Sequence, residues 1–207
     1  MPKVQAAPAR KTRIQNRNEE LILDAALEVF SSFGYRGSTV DQIAAKSGLS
    51  KPNLLYYFRR KEDIYRAVLE RTLEAWLAPL SALDLAADPI TELTRYISAK
   101  LDMTFDRPEA SRLFANEILH GAPHIGKFLR GPLKALVEAK AGVIRRWMAE
   151  GRIAAVEPVH LIYSIWAVTQ HYADFGVQIE AVSGRPDREA TRQAVLHILL
   201  GGLRPVR

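Results

Sequence analysis

Apolar side chains recur at every third or fourth position along most of the chain, and this spacing constrains the fold more than any other feature. From about Asn18 to Phe33 it predicts one helix with a single buried face. From Lys61 onward, one helix should end before Pro79 and the later helices should begin close to prolines. The predicted ranges are 61–78, 89–105, 108–120, 131–150, 158–180 and 187–201. No segment alternates with a period of two. We therefore predict an all-α protein.

A short helix and a glycine-containing turn follow the first helix, after its natural stop at Gly34. The second helix begins after Ser38 or Thr39, and Gln42 lies three residues beyond Thr39, as a capping box requires. It ends near Lys46, and Gly48 supplies the permissive turn residue. This order predicts a helix-turn-helix unit over residues 38–58.

The third helix has one apolar and one polar face. Ser50 caps it, and Leu54 and Phe58 point the same way toward the core. The side chains left to face outward are Lys51, Asn53, Tyr56 and Tyr57. In a DNA-binding helix-turn-helix, the second helix enters the major groove by its N-terminal end. The outward face therefore predicts contact with DNA.

Each outward residue type suits a part of DNA. Asparagine can pair with adenine, lysine can reach guanine edges or phosphate, and tyrosine hydroxyls donate to phosphate oxygens. The predicted DNA-binding residues are Thr39, Ser50, Lys51, Asn53, Tyr56, Tyr57 and Lys61. The alternative is that Tyr56 and Tyr57 are half-buried core aromatics and that the basic residues are simply solvated.

The positive charge is concentrated in the first third of the chain. Residues 1–61 contain 11 Lys and Arg against 5 Asp and Glu, a net +6 that equals the formal charge of all 207 residues. Such asymmetry indicates a nucleic-acid or anionic-membrane face. Residues 1–16 read as a flexible basic arm, whose Arg10, Lys11 and Arg13, with the neighbouring Arg17, can follow the DNA backbone or an adjacent groove.

Several function classes are disfavoured by composition. The chain has no cysteine, which excludes disulfides and thiol chemistry and fits a reducing cytoplasm. No apolar run reaches the length of a membrane span, so we expect a cytoplasmic protein with no membrane partner. His120 and His124 lie four apart, but Gly121 and Pro123 intervene and no third metal ligand is evident. Without a phosphate loop, paired carboxylates or an activated nucleophile, we expect no catalysis, metal or cofactor.

Four short stretches carry a family likeness: ILDAAL at 22–27, FGY at 33–35, GSTV at 37–40 and SGLS at 47–50. With them, residues 20–65 resemble the TetR family of bacterial transcription regulators. Leu55 departs from the pattern, because most members carry tyrosine there. The resemblance implies three domains: an arm at 1–16, a helix-turn-helix domain at 17–61, and an effector-binding and dimerisation domain at 62–207.

The second half is similar to TetR-family regulators of pyrimidine utilisation. The stretches that carry this likeness are WLAPL at 76–80, ASRLF at 110–114, GAP at 121–123 and TQHYADF at 169–175. The resemblance implies a homodimer, an inverted-repeat operator in double-stranded DNA, and uracil or thymine as effector. Our own hypothesis is that effector binding changes the spacing of the two recognition helices through the helix near 61–78, by favouring one spacing over another.

The second half contains side chains that suit a flat ring with a polar edge. Trp166, Gln170 and Ala173 share one helical face, and His171, Asp174 and Phe175 share the next. A flat ring can stack on Trp166 or Phe175, and Gln170, or His171 with Asp174, can meet its polar edge. The predicted ligand-binding residues are Trp76, Asn116, Glu117, Trp166, Gln170, His171, Asp174 and Phe175. The competing interpretation is that the aromatics are core and that the His–Asp pair only satisfies itself.

The last two helices carry broad apolar faces that can form a two-fold interface. Their residues are Leu161, Ile162, Ile165 and Val168, and Val195, Leu196, Ile198 and Leu199.

Two alternative functions remain at this point. A regulator of this family for a different effector, such as a fatty acid, drug or flavonoid, would need a larger and greasier cavity. A helical enzyme or adaptor with a membrane-facing arm would not keep binding a specific inverted repeat at moderate salt.

Overall fold

The computed structural model of the protein describes residues 13–204, and over that range it contains helices and no strand. The predicted all-α class is confirmed. The helices are α1 (Arg13–Gly37), α2 (Val40–Ser47), α3 (Lys51–Tyr57), α4 (Lys61–Ser81), α5 (Pro89–Asp106), α6 (Pro108–Leu119), α7 (Gly126–Phe128), a π-helical turn (Leu129–Leu133), α8 (Lys134–Ala149), α9 (Pro158–Asp174), α10 (Gly176–Ser183) and α11 (Arg188–Leu200).

The chain divides into two compact units. The first ends at Val68 and the second begins at Leu69, so the division falls within the residues of α4. The first unit contains α1, α2 and α3. The second contains α5 to α11, and each unit has its own set of buried apolar side chains.

The first unit forms around one apolar face of α1. Phe30 is buried on that face, and its ring meets the ring of Tyr65 edge-on at a centroid distance of 4.9 Å. Helix α2 contributes Ile43 and α3 contributes Leu54, both fully buried. Leu54 is the single buried residue within α3, whose seven residues would not form a stable helix alone in water. Tertiary burial therefore holds α3 in place.

Helix α1 starts earlier than the sequence pattern predicts. It begins at Arg13 and not near Asn18, so residues 13–16, which were assigned to a flexible arm, are helical. Arg10 and Lys11 lie outside the described residues. The predicted stop at Gly34 appears as a kink, because Gly34 adopts φ 66° and ψ 173° before one last turn to Gly37. Glycine reaches this left-handed φ without the steric cost that a Cβ would add.

The second unit is built around α9. Helix α5 packs along α9, α6 and α8 also contact it, and α11 lies against both α5 and α9. Trp147 and Tyr96 are among the largest fully buried side chains in this core. The indole nitrogen of Trp147 donates to the carbonyl of Leu85 at 2.9 Å, so the polar edge of the ring is satisfied inside the core.

Prolines mark helix starts in some places and not in others. Pro89, Pro108 and Pro158 each open a helix, as predicted. The expected stop before Pro79 is wrong: α4 continues to Ser81, because a proline in the last turn removes only one hydrogen bond. The predicted helix 158–180 is broken at Phe175, whose ψ of 24° separates α9 from α10.

In the described part of the chain, no helix is both long enough and apolar enough to cross a membrane.

Replacing Leu54 by alanine should loosen α3. Removing a fully buried leucine side chain typically costs ~2–5 kcal/mol, because a cavity remains where the methyl groups packed. We expect faster hydrogen exchange, measured by mass spectrometry, in peptides covering residues 20–60. Leu55→Ala, at a half-buried neighbouring position, is the matched control and should change exchange less. Unchanged protection in Leu54→Ala would contradict the anchoring role.

Candidate functional site

The turn between α2 and α3 is closed by Gly48 and Ser50. Gly48 has φ 71°, and its N–H donates to the carbonyls of Ala44 and Ala45, which ends α2. The Ser50 side chain accepts from the N–H of Asn53 at 3.3 Å and so caps α3. At the other end of α2, the predicted capping box between Thr39 and Gln42 is present. Local sequence therefore sets both helix ends and the turn between them.

Most of the predicted DNA-binding side chains lie on the surface. The exposed ones are Thr39, Ser50, Lys51, Asn53 and Tyr56. Tyr56 is 71% exposed, so it is not a core aromatic. Tyr57 is half-buried, and its hydroxyl accepts from the side-chain amide of Asn18 at 3.0 Å. The alternative of two half-buried tyrosines therefore holds for Tyr57 alone.

Two predicted basic contacts already have partners within the first unit. The ammonium of Lys51 lies 2.9 Å from a carboxylate oxygen of Asp41, on the surface. An exposed pair of this kind contributes little to stability, and an approaching phosphate can compete for the lysine. Lys51 therefore stays a predicted DNA contact.

Lys61 is bound more firmly. Its ammonium donates to the main-chain carbonyls of Tyr35 at 2.7 Å and Ser38 at 2.8 Å, and it also lies 4.6 Å from the centre of the Tyr35 ring. These bonds tie the start of α4 to the last turn of α1 and to the residue that follows it. Sequence spacing could not reveal them, because the partners are main-chain carbonyls more than 20 residues away. We infer that Lys61 positions the unit, whether or not it also reaches DNA.

A buried polar cluster lies in the second unit, and we name it the Lys100 cluster. It consists of Trp76 on α4, Lys100 on α5, Ser111 on α6 and Asp174 on α9. Lys100 is only 3% exposed, and its ammonium lies 4.5 Å from the centre of the Trp76 ring. The Ser111 hydroxyl donates to Asp174 Oδ1 at 2.6 Å. Two predicted ligand residues thus have polar or charged neighbours here: Trp76 has Lys100, and Asp174 has Ser111.

Burial dominates the electrostatics of this cluster. It lowers the pKa of Lys100 to about 8, and the charge of Asp174 opposes that shift. Burial also raises the pKa of Asp174. The hydrogen bond from Ser111 acts in the opposite direction, as do the charges of Arg112, His171 and Lys100. Each charge is thus felt by the other, although neither is well solvated.

Lys100 and Ser111 were not among the predicted ligand residues. A lysine at an otherwise buried helical position was the signal that could have identified Lys100. It lies in the stretch from Ile97 to Leu101, both of which are core residues. Lysine is almost never fully buried unless paired, so this placement marks a candidate site.

The other predicted ligand residues fall into different surroundings. Trp166 is half-buried, and its indole nitrogen donates to the hydroxyl of Tyr96 at 2.6 Å. Gln170 is also half-buried, one turn further along α9. His171 and Phe175 are exposed and stack on each other with centroids 4.9 Å apart. Exposure of this pair favours a role outside a ligand pocket, but their assignment stays a prediction.

Asn116 and Glu117 lie in the last turn of α6, and their partners come from the segment that follows it. The Asn116 carbonyl is 2.7 Å from a ring nitrogen of His120. The buried Glu117 carboxylate accepts from the main-chain N–H of His124 at 2.7 Å, and its other oxygen is 3.1 Å from that ring. Both carboxylate oxygens of Glu117 therefore have a partner in this segment. Among residues 13–204, no group of three or more His, Cys, Asp or Glu side chains is arranged to hold a metal ion.

A separate cavity of about 220 Å³ opens near the end of α9. None of the eight predicted ligand residues lines it. Its walls include Phe105 and Tyr172, and its charged residues are Arg112, Arg185, Arg188 and Glu180.

Comparison with known proteins assigns both halves of the chain. The family model described as "Bacterial regulatory proteins, tetR family" matches residues 22–68, and the model "YcdC-like protein, C-terminal region" matches residues 69–205. The chain is 45% identical over 201 residues to the HTH-type transcriptional regulator RutR of Escherichia coli K12, covering 95% of each chain. The protein belongs to the TetR family.

Other TetR-type proteins agree with this assignment. The HTH-type transcriptional repressor NicS of Pseudomonas putida is 30% identical over 148 residues, or 69% of each chain. The solved structure of a TetR-like transcriptional regulator from Rhodococcus sp. RHA1 has a TM-score of 0.68 at 21% identity, covering 93% of this chain and 98% of that one. The latter shows the same fold. The family and the relatives are transcription regulators and not enzymes, which confirms the expected absence of catalysis.

Within this TetR-type domain, Asn53 is the residue best suited to read a base. Asn53→Ala should relax preference at one base-pair position, at a cost of ~1–3 kcal/mol for the preferred base, because a bidentate pair is lost. Titrating the protein against operator variants that each differ at one base pair measures this preference. Lys61→Ala is the comparison and should weaken binding to all variants alike. An unaltered preference in Asn53→Ala would show that α3 is oriented differently.

Proposed function

We propose that this protein is a homodimeric, ligand-responsive repressor that binds an inverted-repeat operator and releases it when uracil or thymine binds. The observation that carries the proposal is the 45% identity to RutR over 95% of both chains, because the match includes the effector half. The sequence resemblance to regulators of pyrimidine utilisation supports the choice of effector. The half-sites would lie about one helical turn apart, roughly 34–36 Å, with one α3 in each major groove.

The DNA side of the proposal rests on the exposed polar face of α3. Asn53 would read a base edge, and Tyr56 would donate to a phosphate or base. Lys51 would exchange Asp41 for a phosphate, since its present partner is a surface pair. Arg13 and Arg17, both exposed at the start of α1, would add phosphate contacts that make the affinity depend on salt.

The effector side rests on the half-buried polar face of α9 and the Lys100 cluster. A planar pyrimidine has both carbonyl acceptors and N–H donors, and a site for it needs placed polar groups between apolar walls. Trp166 and Gln170 are half-buried on one face of α9, and Asp174 lies on the same helix beside buried Ser111. These residues combine an aromatic surface with hydrogen-bond donors and acceptors.

The dimer interface that we propose keeps only Ile198 of the residues suggested by the sequence pattern. Leu161, Ile162, Ile165 and Val195 are buried in the core of their own unit and are unable to contact a second chain. Apolar side chains that do remain exposed on the last three helices are Tyr163, Phe175, Val177, Val182 and Ile198. A second copy covering this surface would remove it from water.

Uracil should weaken operator binding, and the operator should weaken uracil binding by the same factor. Coupling between two binding sites is reciprocal, and typical coupling energies of ~1–3 kcal/mol correspond to about 5- to 150-fold. Titration calorimetry measures the affinity for uracil with and without operator DNA, and the affinity for operator DNA with and without uracil. Gln170→Ala should weaken uracil binding, whereas Gln178→Ala, exposed on α10, should not. Independence of the two ligands would rule out the regulatory mechanism.

Ile198→Glu should disrupt the dimer. Ile198 is 70% exposed on α11, so a charge there costs the single chain little but would be buried in the proposed interface. Light scattering coupled to size-exclusion chromatography should show monomers at concentrations where the natural protein is dimeric. Gln193→Lys, exposed on another face of the same helix, is the control. A dimeric Ile198→Glu variant would place the interface elsewhere.

A further inference from the structure

One hydrogen bond links the start of α1 to the end of α3. The side-chain amide of Asn18, in the second turn of α1, donates to the hydroxyl oxygen of Tyr57, the last residue of α3, at 3.0 Å. The two residues lie 39 positions apart in the chain, so no local pattern predicts the contact. It joins the helix around which the first unit forms to the helix that carries the predicted DNA-binding face.

Asparagine is a poor choice for this position of α1 on local grounds. It has a lower helix propensity than alanine, because its side chain competes for main-chain hydrogen bonds. Asn18 is half-buried, and of the described residues Tyr57 is the one that its side chain binds. The contribution of Asn18 therefore passes through the Tyr57 hydroxyl.

The direction of this bond determines what the Tyr57 hydroxyl can still do. A phenol oxygen both accepts and donates, and its hydrogen stays near the plane of the ring. Because the oxygen accepts from Asn18, its own hydrogen is directed elsewhere, and within residues 13–204 no acceptor takes it. Accepting one bond also polarises the hydroxyl and strengthens its donation to a further acceptor. The hydroxyl is thus a prepared donor.

The surroundings of Tyr57 favour an anion as that acceptor. Tyr57 is half-buried, and its ring meets the ring of the exposed Tyr56 edge-on, with centroids 5.3 Å apart. Arg17, next to Asn18 in the chain, and Arg59, two residues beyond Tyr57, are both exposed. Tyrosine hydroxyls and arginines are common partners of DNA phosphates. A backbone phosphate therefore matches the chemistry of this surface.

We propose that Asn18 is a positioning residue for DNA binding: it holds the Tyr57 hydroxyl with its hydrogen directed outward, toward a phosphate of the DNA backbone. The inference rests on the proposed contact of α3 with operator DNA and assigns a role in it to a residue of α1. Phosphate contacts carry no sequence information, so Asn18 sets affinity and leaves base preference unchanged.

The first test is a double-mutant cycle on Asn18 and Tyr57. The probe is a labelled duplex whose inverted repeat the natural protein enriches from random-sequence DNA, and fluorescence anisotropy measures the affinity for it. Tyr57→Phe removes the donor and should weaken binding ~10- to 100-fold, the loss expected for a hydrogen bond to a charged group. Asn18→Ala should weaken binding ~3- to 10-fold alone, but less than ~2-fold in a Tyr57→Phe background. A general loss of folding would lower the affinity equally in both backgrounds.

The second test reverses the hydrogen bond. In Asn18→Asp the carboxylate accepts the hydrogen of the Tyr57 hydroxyl and so withdraws it from the phosphate. Asn16→Asp is the matched control, because it adds the same charge at an exposed position of α1 that has no hydrogen bond to Tyr57. Asn18→Asp should weaken binding at least ~5-fold more than Asn16→Asp does. In a Tyr57→Phe background the two changes should agree within ~2-fold.

Base preference and thermal stability are independent readouts. Operator variants that each differ at one base pair should all lose the same factor in Asn18→Ala, whereas Asn53→Ala should change their order. Asn18→Ala should melt close to the natural protein, because the higher helix propensity of alanine offsets the lost hydrogen bond. A changed base preference in Asn18→Ala would contradict a role through a phosphate contact.

The outcomes separate this inference from the proposed function. Full affinity in Asn18→Ala or in Tyr57→Phe, or equal losses from Asn18→Ala in both backgrounds, overturns the role of Asn18 while operator binding stands. If the natural protein enriches no inverted repeat, the proposed operator is overturned. The cycle is then measured on a random duplex at low salt, where phosphate contacts still operate. Coupling between Asn18 and Tyr57 on that duplex supports the inference, and independence of the two residues overturns it.

Discussion

A helix of seven residues is not stable alone in water, and α3 forms because Leu54 is buried against the first unit. This burial leaves the opposite side of the helix exposed, with Asn53 and Tyr56 on it. The turn before α3 sets the direction in which this helix runs, because Gly48 adopts a left-handed φ and Ser50 caps α3. The exposed polar face of α3 thus depends on an apolar contact made on the opposite side of the helix.

The core of the second unit follows the usual rules of stability, with one exception. Its core buries large apolar side chains such as Trp147 and Tyr96, and hydrogen bonds satisfy their polar atoms. Lys100 departs from this rule, because burial disfavours its charge and its described surroundings compensate only in part. A residue that breaks a local rule of folding is expected at a functional site.

Two lysines of the first unit differ in how strongly their partners hold them. Lys61 is bound by the main-chain carbonyls of Tyr35, in the last turn of α1, and of Ser38, just after it, which makes it part of the architecture. Lys51 forms a single exposed pair with Asp41 and remains able to change partners. The same residue type therefore positions the domain at one site and is free to contact an anion at another.

The sequence by itself determined the helical class, the caps at Thr39 and Ser50, and the turn at Gly48, because these depend on residues within a few positions of one another. It also identified the exposed polar face of α3, since the spacing of Leu54 and Phe58 defines the opposite face. Only the tertiary structure decided that α1 begins at Arg13 and that α4 continues through Pro79. It alone placed Lys100 beside Trp76 and within reach of the charge of Asp174, because these residues come from three different helices and no local pattern encodes their meeting.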